Sequence, residues 1–587
     1  MYIQVVLSIL YVGHVFHSYL NALYIGKKNE WPIITNEEYI NQSLEYNEIF
    51  FNEYDMEKIS EEERKNVTSL GIPKKFFENK EKKCGSRTKL FMDLLTQRDL
   101  EFEKFVENFI CEINETSDKD IKGFIVFGEA YESIRYMAQK YKFELINYEF
   151  STFRKSNGFP MSLMYANTKG QLYESFECQK RYQNFIGECK DINFFSRKEL
   201  LALFGKSETL HLQPLLNNGG YRYELGVCGM GGKVYPHAFC REAYTDEDIY
   251  YKCSKIYDSD EWTIREHPGY LRDECQLLAK RDPMDFILSC KRIAAVTSNV
   301  LLEAMLWNRV ACTECNIVAF SFACEKDFKS EKIIKDIFLN FFIIAYLVPK
   351  QETLFSPDYW EWRRKNTSER EIFLKHINII LAEYGLDNSI LMLNEEERYE
   401  KILMARGISK CEIEMFNRPI NDSEINFDML SSYIELKNEA VGIKKKLYCL
   451  NRNKDNEIVS EFIFENNNFS EMEFFPIGNA VGIIKINKIF INQKEFDSGD
   501  NDYYIVGREW GKKIKGIIEY KKNHVVIKWQ YRKWDVFSLV NEIQNEMKVY
   551  KERENAMQRE LDSIYNSKLW VATKPLRQIL DLFIAEK

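Results

Sequence analysis

The sequence predicts an α/β chain in its first two thirds, built as two Rossmann-like domains over residues 1–210 and 211–420. A β-sandwich module over 421–535 and a helical, coiled-coil tail over 536–587 follow. Three observations carry this reading. A strand–helix–strand run spans 121–148, a short apolar strand leads into a helix at 293–307, and near 425 the pattern changes from helical to alternating. A chain of 587 residues exceeds what one core supports, since cores rarely grow past roughly 250–300 residues.

In the first domain, Ile3 to Val12 is an apolar run suited to a buried strand, leading into a helix. Residues 1–26 carry no charge and end at Lys27 and Lys28, so a membrane anchor is the alternative for this stretch. Residues 30–120 are polar and helical in pattern and are expected to decorate the domain as solvated helices and loops. Gly123–Phe127 reads as a strand, Ala130–Tyr141 as a helix and Phe143–Tyr148 as a second strand, which makes one βαβ unit with parallel pairing. Glu149 and Arg154 then fall at a strand's carboxyl end, where open α/β sheets bind ligands. A loop salt bridge is the competing reading of that pair.

The second domain opens at the strand Arg222–Cys228, after the turn Asn217-Asn-Gly-Gly220, and its Glu224-Leu-Gly-Val227 run resembles the opening strand of a glycosyltransferase donor domain, which implies close approach of backbone to a ligand at Gly226. The glycines that follow do not match a dinucleotide fingerprint. The central stretch runs from Trp262 to Arg309. Trp262–Arg265 reads as a strand ending before His267-Pro268, and Ile293–Val296 reads as a strand followed by Thr297 or Ser298 as a helix cap. Leu301, Leu302, Met305 and Leu306 form the buried face of that helix, and Glu303 lies on it. His267 and Ser298 would then share the carboxyl edge of one parallel sheet and meet at one phosphate.

His-Pro followed by a Ser/Thr helix start and the Glu303-Ala304 pair resembles the C-terminal half of GT-B-type glycosyltransferases, notably bacterial sialyltransferases and capsular Kdo transferases. The resemblance implies that His267, Pro268, Thr297 and Ser298 hold the donor nucleotide's phosphate and that Glu303 reaches the ribose or base. Glu149-Phe-Ser-Thr-Phe-Arg154 resembles the Glu-x-Gly-x-x-Arg stretch of the capsular enzymes, with Ser151 where glycine is usual. It implies Glu149 as the base or acceptor positioner, His267 as a second catalytic group, and Arg154 as partner of a donor carboxylate. The co-substrate implied is a nucleotide sugar, CMP-linked in the nearest resemblance, with an oligosaccharide or polysaccharide acceptor and no further cofactor. No Asp-x-Asp motif stands at a strand end, so metal-independent chemistry is expected. Two alternatives stay open: a non-catalytic scaffold or carbohydrate-binding protein of the same build, and a sugar-nucleotide epimerase.

Residues 331–350 are strongly apolar but interrupted by Lys335, Asp336 and Asn340, which favours a buried helix. In GT-B folds a late helix crosses back to the first domain, and the segments up to Tyr384 are the candidates. In the module, Trp510, Trp529 and Trp534 are either core residues or platforms for sugar rings. The tail shows imperfect heptads from Val540 to Ile564, enough for a weak homodimer at most. It ends in Ser567-Lys-Leu-Trp-Val-Ala-Thr-Lys-Pro-Leu-Arg577, which resembles tails of bacterial surface-polysaccharide glycosyltransferases and suits an anionic membrane surface.

A net charge of −9 argues against general nucleic-acid binding. Fourteen scattered cysteines without a disulfide framework, and no cleavable leader pattern, point to the cytosol, with peripheral contact at the inner membrane face through the tail. Cys312-Thr-Glu-Cys315 is read as a buried strand-edge pair and not as a metal site.

Overall fold

The computed structural model describes residues 1–8, 12–44, 58–153, 161–168, 175–217, 220–229, 245–265, 283–315, 318–349, 351–365, 367–427, 430–438, 442–465, 469–476, 482–496, 504–506, 512–514 and 522–533. The tail from 534 onward lies outside them, as do Arg154, His267, Pro268, Trp510 and Trp534.

The first sheet contains β1 (Tyr2–Val6), β2 (Ile33–Asn36), β3 (Ser69–Ile72), β4 (Gly123–Phe127), β5 (Glu144–Phe150) and β6 (Leu163–Asn167). The strand β1 is buried at every position, as a central strand covered on both faces must be, and its one polar residue, Gln4, donates through Nε2 to Ala22 O at 2.9 Å. Pairing is parallel through β3-β2-β1-β4-β5 and turns antiparallel at β6. The expected βαβ unit is present, its helix spanning Glu132–Tyr141. Gly123 is required there, because a Cβ at this position would lie 2.2 Å from Glu144 O on the neighbouring strand.

The segment 30–120 is more than decoration, since it supplies β2 and β3. Its helices Arg87–Thr96 and Leu100–Thr116 bury Leu90, Leu94, Phe102, Val106 and Ile110 against the sheet. The strand β1 stops at Val6, and Val12–Asn29 is a helix containing His14 and His17. Among the described residues no helix is long and apolar enough to cross a membrane.

The second sheet is parallel throughout, in the order β10-β9-β7-β8, with β7 (Tyr223–Cys228), β8 (Trp262–Arg265), β9 (Cys290–Ala295) and β10 (Val310–Cys312). Cys312 and Cys315 are fully buried, as a strand-edge pair should be. The helices over 175–204, expected with the first domain, pack instead into the cluster that also holds Ile293, Leu301 and Leu302.

The chain then returns. Asp336–Leu339 is α-helical and runs into a π-helix at Asn340–Tyr346. A π-helix misaligns carbonyls with the next amides, and side chains from elsewhere satisfy them. His376 Nδ1 lies 2.8 Å from Ile344 O, and Arg181 donates to Ala345 O at 3.1 Å. The strand β11 (Val348–Pro349) then pairs antiparallel with β6, placing the chain back on the first sheet. The helix Pro357–Arg364 buries Tyr359 and Trp360 in the cluster that contains Tyr2 and Trp31, and Arg364 pairs with Glu144. The crossing expected between 331 and 384 is therefore made by β11 and this helix.

From 431 the structure is antiparallel. One sheet has the order β13-β12-β16-β20, from β12 (Ser431–Asn438), β13 (Ile443–Leu450), β16 (Glu471–Phe475) and β20 (Lys512–Ile514). The other, β14-β15-β21-β17-β18 with β19 on β17, uses β14 (Arg452–Lys454), β15 (Glu457–Glu465), β17 (Gly482–Ile491), β18 (Lys494–Phe496), β19 (Tyr504–Val506) and β21 (Lys522–Lys533). Both contribute to one apolar cluster, in which Ile434, Leu436 and Phe474 meet Ile486, Ile527 and Trp529. Trp529 is fully buried and donates to Ser460 Oγ at 2.9 Å, so it is a core residue and not a sugar platform.

Candidate functional site

Each parallel sheet has one place where the direction of strand addition reverses, and the crevice outside the carboxyl ends there is where open α/β sheets take ligands. In the first sheet β1 lies between β2 and β4, so the reversal falls between β1 and β4. Two asparagines fix the backbone at that edge. Asn36 accepts from Ser8 N and donates to Ser8 O, both at 2.9 Å, beyond the end of β1. Asn147 Nδ2 donates to Gly128 O at 2.8 Å beyond the end of β4, and Gly128 holds a left-handed φ of 74°. Glu129 follows, 3.9 Å from Arg135.

In the second sheet β7 lies between β8 and β9, so the reversal falls between β7 and β9. Cys228 ends β7, and its Sγ lies 3.8 Å from Ser298 Oγ, which stands just past the end of β9. Burial pushes the Cys228 thiol above its ordinary pKa, against the pull of Arg265, the last residue of β8, and of the Ser298 hydroxyl. Ser298, Cys228 and Arg265 thus stand together at the carboxyl edges of three adjacent strands, with half-buried Thr297 beside them. Ser298 accepts from Val300 N at 3.3 Å at the start of the helix Val300–Leu306, and Asn299, which precedes the helix, makes no side-chain capping bond. The apolar face of Leu301, Leu302, Met305 and Leu306 is buried as expected.

The two edges meet. Thr152, two residues past β5, donates to Glu303 in the helix after β9. Tyr165 on β6 donates to Asn299 Oδ1 at 2.7 Å. Glu303 therefore already has a partner across the seam. Glu149 sits half-buried in β5 opposite Tyr165, one residue before the strand ends. Ser151, in the place where glycine was the usual residue, is fully buried and accepts from Phe153 N at 3.1 Å while donating to Leu163 O at 2.7 Å. It shapes the turn that delivers Thr152 to the seam.

Gly226 has a packing role within β7. A Cβ there would lie 2.7 Å from Cys290 Sγ and 2.8 Å from Phe286 Cζ, so its small size serves core packing. Pro268, His267 and Arg154 lie outside the described residues. Arg265, Cys228, Asn299, Tyr165 and Thr152 were missed as site residues. The legible signal was Arg265, a cation on the last residue of a strand.

No protein-family model matches this chain, and no curated protein matches it. Among solved structures it is similar to the beta Kdo 2,7 transferase of Thermosulfurimonas dismutans KpsC, at 12% identity over 41% of this chain and 81% of that one, TM-score 0.26. The UDP-GlcNAc 2-epimerase of Methanocaldococcus jannaschii, solved with UDP-GlcNAc and UDP, matches at 15% identity over 53% and 83%, TM-score 0.22. The wall teichoic acid polymerase TagF matches at 10% identity over 71% and 90%, TM-score 0.16. At scores this low the two-sheet architecture rests on the strand order and register of this chain itself.

Proposed function

We propose that the cleft between the two parallel sheets binds a nucleotide sugar and transfers its glycosyl group to a saccharide acceptor, in the synthesis of a capsular or other cell-surface polysaccharide. The observation that carries this reading is the apposition of two sheet edges, each with its own reversal point, joined by Thr152–Glu303 and Tyr165–Asn299. Such a cleft gives donor and acceptor one edge each, which a group transfer needs.

On this reading the donor phosphate lies against Ser298 and Thr297, with Arg265 and the His267-Pro268 segment supplying the positive side. Glu149 takes the proton of the acceptor hydroxyl or positions that hydroxyl. The acceptor oxygen forms its bond to the anomeric carbon as the bond from that carbon to the phosphate oxygen breaks. The electron pair leaves with the nucleotide, whose growing charge Arg265 and His267 stabilise. Arg154 pairs a carboxylate on an acidic donor sugar. Glu303 reaches the ribose or base only by exchanging its Thr152 partner.

Titration calorimetry of the full chain against CMP, UDP and GDP tests the reading, with one of the three expected to bind. His267→Ala should weaken it by about 1.5–3 kcal/mol, the range for a hydrogen bond to a charged group. Ser298→Ala should weaken it less, because other donors at the edge remain. Binding of none of the three overturns the proposal in favour of a scaffold, and turnover of donor without acceptor overturns it in favour of an epimerase.

A further inference from the structure

The antiparallel module carries a groove of about 960 Å³, well separated in sequence from the cleft residues. One wall is the hairpin of β14 and β15, whose two loop residues, Asp455 and Asn456, both have positive φ, at 53° and 63°. Two consecutive positive φ values are those of a type I′ turn, whose twist matches the flanking strands and holds the hairpin rigid. The opposite wall comes from Lys485 on β17 and from Gln530 and Tyr531 on β21. The end is closed by the segment at 423–426, where Asn426 Nδ2 donates to Asn453 Oδ1 at 3.0 Å, and Asn453 donates on to Ile425 O at 3.4 Å.

The lining narrows the ligand class. Lys454 and Lys485 are matched by Asp455 and Glu457, so the groove has no net charge with which to hold a polyanion. Glu457 is engaged by Asn487 Nδ2 at 2.6 Å. Apolar side chains are few, Ile458 and the ring of Tyr531, which excludes a lipid or aliphatic ligand. What dominates is amide: Asn456 and Gln530 each place a donor and an acceptor a fixed distance apart, while Asn426 and Asn453 are engaged with each other and with Ile425 O. Adjacent hydroxyls of a pyranose ring present the complementary pair, and half-buried Tyr531, packed partly on the module core, adds aromatic surface to the lining. The volume lies at the upper end of that found for binding sites, enough for more than one sugar ring.

We infer that this groove binds a neutral oligosaccharide, through the Asn456 and Gln530 amides and the Tyr531 ring. The claim rests on the groove's own lining and stands independently of the transfer reading.

The labelled full chain, applied to an array of neutral and polyanionic glycans, should be retained by at least one neutral oligosaccharide. Tyr531→Ala should weaken that binding about tenfold. Gln530→Ala, at an exposed position where nothing in the core depends on the side chain, should weaken it severalfold with an unchanged melting temperature. Retention by polyanionic glycans alone, by no glycan, or equally by both variants and the parent overturns the inference. A parallel nucleotide titration separates the two sites: donor affinity should be the same in both variants, and a chain that binds glycan but no nucleotide overturns the transfer reading alone.

Discussion

The parallel body and the antiparallel module solve the same backbone problem in opposite ways. Parallel strands are joined by crossovers, which leave helix ends and irregular turns inside the protein with polar groups to satisfy. The body accordingly buries Arg398 with Glu199, Asn340 against Phe195, and His376 between Tyr359 and Ile344. Hairpins satisfy their own ladders, so the module's core is largely apolar, with short polar side chains such as Asn451 and Ser460 buried beside it, and the groove lies at its edge. The candidate cleft therefore sits at strand ends in the body and the proposed groove along an edge in the module.

The largest effect expected from this contrast is at Arg398, which meets Glu199 through two hydrogen bonds of 2.6 and 3.0 Å and also donates to Asn193 O and Phe194 O. Arg398→Ala leaves a buried carboxylate and two carbonyls without their partner, and should cost about 3–5 kcal/mol. Hydrogen exchange should show lost protection in the helices Arg197–Phe204 and Glu395–Ala405, with β15 and β21 retaining theirs. Equal loss in both regions would mean that body and module unfold as one unit.

Acid should act next, and again on the body. Burial lowers the His376 pKa to about 3, and burial alone does the same for His211, which sits 2.8 Å from Ser431 Oγ where the body touches the module. A histidine held neutral in the folded state binds its proton more readily when unfolded. Its contribution is thus complete above pH 6.5 and falls as the pH drops from there toward 3. Each group should cost about 1.4 kcal/mol per pH unit within that window. Urea midpoints between pH 7 and 4.5 measure it, and His376→Gln should flatten the slope by one proton's worth. An unchanged slope would remove His376 from the account.

The smallest effect is at the seam. Thr152→Val removes the donor to Glu303 at a half-buried position, and should lower stability by about 1 kcal/mol. If instead nucleotide affinity changes while stability does not, Glu303 belongs to the ligand and not to the seam.

Much of this architecture was legible in the residues. The βαβ unit read at 121–148, the strands read at 222–228, 262–265 and 293–296, and the buried face of the helix at 300–306 are all present, with ends shifted by up to three residues. The strands Ile33–Asn36, Ser69–Ile72 and Val348–Pro349 were not, because two to four residues show no period and only their neighbours make them strands. The seam was illegible for another reason: Thr152 and Glu303 are 151 residues apart, and no local pattern marks a contact that the packing of two sheets creates. The packing at Gly226 was illegible because a glycine in a strand makes room equally for a ligand or for a phenylalanine, and only the structure places Phe286 there.

The return of the chain as β11 onto β6 has a topological corollary. The first sheet holds polypeptide from both sides of the second, so the intervening 180 or so residues form a closed excursion anchored at Asn167 and Val348. A single cut inside that excursion does not liberate either half. The fragments stay clasped by the β6–β11 ladder, by Arg181 gripping Glu369, and by the shared cluster that spans Phe153 to Leu430. A nicked chain should elute as one particle and come apart only in denaturant, which makes the body a candidate for reconstitution from two separately expressed pieces.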